Sequence, residues 1–195
     1  MPILNIYYKS ISEFASMYST LRLKVKGSMK MKSSVRLLNH IIKIMNLQQS
    51  LIIRDEQWNQ SYEAYNFNIN GYVFKSRLAK KTTKKKGYFL SLWEKDKTKK
   101  NRAFDYESFP GKLIVHVMDD SQVGQFIFPK HVLFHKGILR NHASKGKMAF
   151  RVYPTWEKDL NRVAHKTQEW QKQYFIDMSQ TIDVPSIKRA YFNED

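Results

Sequence analysis

The chain has no cysteine. Disulfides and thiolate metal sites are therefore excluded, and the composition suits a reducing cytoplasm, which is the expected location. Long apolar runs are missing too. No window approaches eighteen consecutive apolar residues, so no membrane span is expected. The stretch Met1–Lys26 lacks the apolar core and the small-residue cleavage site of a secretory signal. Catalytic signatures are also absent: there is no Walker A loop, no G-x-G-x-x-G, no G-x-S-x-G and no H-E-x-x-H. A restriction-type nuclease needs a D/E-x-K triplet, whose carboxylates hold Mg²⁺ while the lysine polarises the attacking water. No such triplet occurs; the nearest substitutes are Asp120-Ser-Gln122 and Glu169-Trp-Gln171. No cofactor is called for, and no motif indicates catalysis.

Acidic residues are scarce. Seventeen Asp and Glu stand against 34 Lys and Arg, giving a formal net charge of +17 and a pI near 9.9. The excess is concentrated: residues 72–102 contribute +10, whereas 103–195 contribute only +2. Self-repulsion of this kind costs stability, so a local excess points to an anionic partner. Nucleic acid is the first candidate. An anionic membrane surface is the second, but no strongly basic amphipathic helix supports it.

With 42% hydrophobic and 14% aromatic residues spread throughout, the 195-residue chain can pack one domain. We expect an N-terminal extension or short helix and strand over residues 1–30, a single α+β domain over 31–180, and a C-terminal tail over 181–195. Ser33 and Ser34 suit a helix start, and Val35, Leu38, Ile41, Ile42 and Met45 follow at helical spacing. A short helix is expected over Asp55–Tyr65, with Asp55 and Glu56 in its first turn. Asn70-Gly71 is a turn dipeptide, and strand signals begin after it. Strands are expected at Tyr72–Leu78, Tyr88–Trp93, Leu113–Met118, Gln125–Phe128 and Met148–Tyr153. Helices are expected after Pro129 and over Glu157–Met178. The result is a mixed, mostly antiparallel sheet flanked by helices, and the order αβββαβ matches the core of restriction-endonuclease-like nucleases.

The basic residues fall in two clusters: Lys80, Lys81, Lys84, Lys85 and Lys86, then Lys95, Lys97, Lys99, Lys100 and Arg102. Between them lies Tyr88–Trp93. Strands Tyr72–Leu78 and Tyr88–Trp93 are expected to form a twisted antiparallel ribbon with the first cluster at its tip. Cations on loops reach a phosphate backbone without burial, and their binding releases counterions. Lysine outnumbers arginine, which favours phosphate contact over bidentate base reading. The expectation is therefore weakly sequence-selective binding of DNA, in duplex form. Tyr72, Phe74, Tyr88, Phe89 and Trp93 alternate along the ribbon. Such alternation marks a core-facing sheet more often than a surface for stacking bases. Glu94, Asp96, Asp105 and Glu107 are the best magnesium candidates, although the basic neighbours compete for them as ion-pair partners. His131 and His135 stand at i,i+4 but have no third ligand, and His116 reads as a hydrogen-bonded core residue.

Several blocks also carry a family resemblance: Phe74-Lys-Ser-Arg-Leu-Ala-Lys80, Gly87–Trp93, Gln125-Phe-Ile-Phe-Pro-Lys130, Gly137-Ile138, Gly146–Trp156 and Gln168-Glu-Trp-Gln171. Together they resemble the MepB-like family over roughly residues 35–178. The resemblance implies a restriction-endonuclease-like fold. It also implies an association with a multidrug efflux pump and a MarR-type repressor, which becomes a candidate protein partner. Trp93-Glu94-Lys95 departs from the family's Trp-Lys-Arg at that point. No catalytic residues carry over. Arg77, Lys80, Gln125, Lys130 and Arg151 match family blocks with polar reach and form a second tier, a candidate binding or vestigial active-site set. The alternative to a DNA-binding accessory protein is a metal-dependent nuclease.

Overall fold

Alternation and uninterrupted apolar runs decide where the strands form. The computed structural model describes residues 31–47, 51–180 and 182–193, and the expected extension at 1–30 lies outside them. Helix α1 spans Ser33–Ile44. It is followed by strands β1 (Ile52–Asp55), β2 (Tyr65–Ile69), β3 (Tyr72–Lys81), β4 (Tyr88–Ser91), β5 (Trp93–Lys95), β6 (Asn101–Ala103), β7 (Lys112–Asp119) and β8 (Gln122–Pro129). Then come α2 (Lys130–His135), β9 (Ala149–Val152), α3 (Arg162–Gln171), β10 (Phe175–Asp177) and α4 (Val184–Phe192).

The chain is a single α+β domain built on a mixed sheet. Its main path runs β1-β2-β3-β7-β8-β10, and β4 joins it through β3 and carries β9. Among these pairings only β3 with β7 is parallel. Asn70 and Gly71 take positive φ, 55° and 83°, and form the expected turn, which here joins the unforeseen β2 to β3.

The sheet has a core on each face. Alternation sends Tyr65, Phe67, Phe74, Ile114 and Ile127 to one face, where Leu37, Leu38 and Ile41 of α1 and Ile187 and Tyr191 of α4 cover them. Leu113, Val115, Val117, Phe126 and Phe128 go to the other, under Leu90, Leu133, Leu139 and Val152. Each such side chain stabilises the fold by roughly 1.5–3 kcal/mol on burial.

Four expectations are corrected. Residues 55–65 do not form a helix: they contain the end of β1 and a single 3₁₀ turn, Gln60–Tyr62. β1 and β2 replace it because Tyr65, Phe67 and Ile69 alternate inward and find a sheet to join. The long helix over Glu157–Met178 is only α3, and Val163, assigned to its apolar face, is 75% exposed. Phe175, beyond the helix, instead pairs in β10 with β8. Residues 181–195 include α4, whose Asp183 side chain caps Ser186 N and whose Ile187 and Tyr191 are buried. The fourth concerns Ser33 and Ser34. They are helical residues, and the N-terminus of α1 is capped from outside by Glu63, whose carboxylate accepts from Ser33 N at 3.2 Å and Ser34 N at 2.8 Å.

Candidate nucleic-acid interface

The expected ribbon of Tyr72–Leu78 against Tyr88–Trp93 does not form, because those residues of β3 are already paired on both sides. β3 meets β4 only at Lys80↔Phe89 and Lys81↔Tyr88, while β3 is otherwise held by β2 and β7. β4 instead runs along β9. The loop of Thr82–Lys86 is thus anchored to the body of the domain. Arg151 on β9 donates to Thr82 Oγ1 at 2.8 Å and to the carbonyls of Lys86 and Gly87. Glu157 accepts from Gly87 N. Gly87 has φ +77°, and a Cβ there would lie 2.5 Å from the Tyr153 ring, so the loop closes only on glycine. An open hollow of about 410 Å³ results, lined by Lys81–Gly87 and Glu157.

Most cations of the two clusters remain available. Lys81 pairs with Asp119 at 2.5 Å, Lys86 with Asp159 at 3.5 Å and Arg102 with Glu94 at 2.9 Å. Lys84, Lys85, Lys97, Lys99 and Lys100 are exposed and have no ion-pair partner among the described residues. The second cluster is not the end of a continuous strand. Leu92 breaks the strand, and β5 and β6 make a separate hairpin. Asp96 Oδ1 ties its turn by accepting from Thr98 N, Thr98 Oγ1 and Lys100 N, and these hydrogen bonds lower its pKa. Gly146 packs against Ala103, which brings Lys145 and Lys147 beside this hairpin. Those two lysines were not foreseen, because a separation of about forty residues hides the contact.

Beneath the clusters lies a buried ion group. Glu56 accepts from Lys75 Nζ at 2.5 Å and from Arg77 at 2.6 and 3.1 Å. Arg77 Nε also donates to Ser91 O, and Lys75 lies over the Phe104 ring at 4.1 Å. Burial opposes the Glu56 charge, but the charges and hydrogen bonds of Arg77 and Lys75 outweigh it and hold the carboxyl below its ordinary range. Lys75 moves the other way in stability terms. Its burial, and repulsion from Arg77, lower its pKa despite Glu56, because two cations share one carboxylate. Arg77 is fully buried and cannot reach a phosphate.

The other second-tier residues divide. Gln125 is buried on the opposite face, donating to His116 Nδ1 at 2.9 Å and accepting from Tyr191 OH at 2.8 Å. His116 is the hydrogen-bonded core residue expected, and burial pushes its pKa down to about 3. Lys130 lies over Tyr106 at 4.7 Å. Lys80, Phe89 and Arg151 stand in one row across β3, β4 and β9. The magnesium candidates are engaged singly: Glu94 with Arg102, Asp96 in its turn, and Asp105 with Arg140 at 2.9 Å, while Glu107 is exposed. His131 and His135 meet ring to ring at 6.2 Å. Among the described residues, no three His, Asp or Glu gather as a metal site.

The family model of the MepB-like proteins matches residues 56–177. The chain belongs to the MepB-like family. It is also similar to the crystal structure of MepB, with 40% identity and a TM-score of 0.68, over 77% of this chain and 100% of that one. None of the curated proteins compared is similar to it. The MepB-like match begins at Glu56 and includes both lysine clusters, the buried ion group and β9. Among the described residues no helix is long and apolar enough to cross a membrane.

Proposed function

We propose that this protein is a DNA-binding accessory protein that grips phosphates through its two lysine clusters and reads little base sequence. The observation that carries this is the set of exposed lysines without acidic partners, displayed on loops that the fold anchors. Lysine ammonium groups are point charges that suit phosphates and do not impose the bidentate geometry of base recognition. The resemblance to this family implies an association with a MarR-type repressor, and such a regulator is the proposed protein partner. The test is the triple substitution Lys84→Gln, Lys85→Gln, Lys86→Gln. If each neutralises one phosphate, Lys84 and Lys85 account for about 1.8 of the expected loss in the slope of log K against log salt on duplex, and Lys86 adds about 0.9 by exchanging Asp159 for a phosphate. An unchanged slope would sink the proposal.

The alternative, a metal-dependent nuclease of restriction-endonuclease-like fold, requires carboxylates that converge with lone pairs to spare. Glu56 is clamped by two cations, and Glu94, Asp96 and Asp105 each serve another partner. Plasmid cleavage with Mg²⁺ or Mn²⁺ would revive that alternative.

A further inference from the structure

The outward face of β4 and β5 carries a feature that phosphate contact does not use. Alternation buries Tyr88, Leu90 and Leu92 and turns Phe89, Ser91 and Trp93 to the other side. The segment after β1 lies across this face. It sets Tyr62 edge-on to Phe89 with ring centroids 6.0 Å apart, and stacks Trp58 on Trp93 at 6.1 Å. Asn59 pins the segment between the two aromatic pairs. Its amide donates to Trp93 O at 2.7 Å, and its carbonyl accepts from Ser91 Oγ at 2.6 Å. Glu56 fixes the segment's near end through Lys75 and Arg77. The buried ion group thus positions the aromatics.

Each pair is bordered by cations. Lys95 lies 5.5 Å from the Trp58 ring and 5.8 Å from the Trp93 ring. Arg151 lies 5.6 Å from Phe89, and Lys80 lies 5.8 Å from Tyr62. Trp58 is exposed at the surface, against the usual preference of tryptophan for burial. Phe89 and Trp93, four residues apart on an extended chain, are about 13 Å apart. The span connects the two lysine clusters.

We propose that this face is a stacking platform for unpaired nucleotides, so that the preferred DNA carries a single-stranded segment such as an overhang. Bases in a closed duplex stack on one another and present only their edges. Away from duplex ends, a protein ring reaches a base face without the cost of unstacking the helix only where the strand is unpaired, and stacking then tolerates any base. Cations beside the rings add attraction and hold the neighbouring phosphates. This rests on the DNA-binding reading, with which it shares the lysine loops.

The experiment compares an oligo-dT strand, a blunt duplex and a duplex with a 3′ overhang, using the wild type, Trp58→Ala, Trp58→Phe and the triple lysine variant. Trp58→Ala should weaken the oligo-dT and overhang complexes about tenfold and leave blunt-duplex affinity within about twofold. Trp58→Phe should recover most of the loss, which controls for folding. Oligo-dT should quench tryptophan fluorescence in the wild type more than in Trp58→Ala. Equal losses on all three probes, or none, would overturn the platform while leaving phosphate binding intact. Absence of wild-type binding to every probe would overturn both readings.

Discussion

Replacing Glu56 with glutamine tests whether the buried ion group holds the candidate interface together. The substitution leaves shape nearly unchanged but removes the charge that neutralises Lys75 and Arg77, whose side chains are 6% and 0% exposed. Breaking a buried pair by removing one partner costs about 3–5 kcal/mol. Lys75 can relieve part of this by losing its proton, since burial already lowers its pKa, whereas Arg77 stays charged. The cost should therefore fall near the lower end, about 3 kcal/mol, or roughly 6–12 °C in Tm for a chain of this size. The folded carboxyl titrates below its ordinary value of 4.5. The stabilisation is therefore complete above that value and is lost as pH falls through the folded pKa. Wild type and Glu56→Gln should differ fully at pH 7 and begin to converge once the pH is brought below 4.5. Urea unfolding in both ranges measures this, and near-UV circular dichroism reports the Trp58–Trp93 stack. A loss at pH 7 under about 1 kcal/mol, or a difference that persists unchanged into acid, would refute the reasoning.

Two further outcomes follow from buried positions. His116 accepts at Nδ1 from Gln125, so Nε2 carries the proton toward Ser76 and Tyr65. With its pKa pushed down to about 3, the unfolded chain binds a proton between pH 6.5 and 3 that the folded chain does not. This residue alone should lower stability by on the order of 5 kcal/mol across that window as pH falls. Imidazolium NMR signals from His116 in folded protein at pH 5 would contradict it. Gly87→Ala should cost about 2 kcal/mol or more, because φ is positive and the new methyl meets the Tyr153 ring. Thermal unfolding measures the cost, and unchanged stability would show that the loop can close by another route.

How far the fold was legible depended on whether a segment's signal was local. Tyr72 onward reads as a strand, and β3 is there; Val35, Leu38 and Ile41 read as a helix, and α1 buries them. Residues 55–65 misled because two acids mimic a helix first turn, whereas Glu56 is held by Lys75 and Arg77 on β3. The C-terminal helix was missed because its two apolar anchors, Ile187 and Tyr191, gain meaning only when the sheet offers a surface to cover. Arg77 and Gln125 looked like surface groups because residue type carries no information about which face of a strand points inward.

Composition alone decided that the chain has no disulfides and a strongly localised positive field, since charge and cysteine count do not depend on how the chain folds. Alternation decided the α+β class, because periods of 2 and 3.6 are properties of the local backbone. Which cations stay available, and which aromatics leave the core, was settled only by tertiary structure. Glu56 meets Arg77 across 21 residues, Arg151 reaches the lysine loop across about seventy, and Trp58 finds Trp93 across 35. Contacts at such separations are chosen by strand pairing and register, which no local pattern encodes.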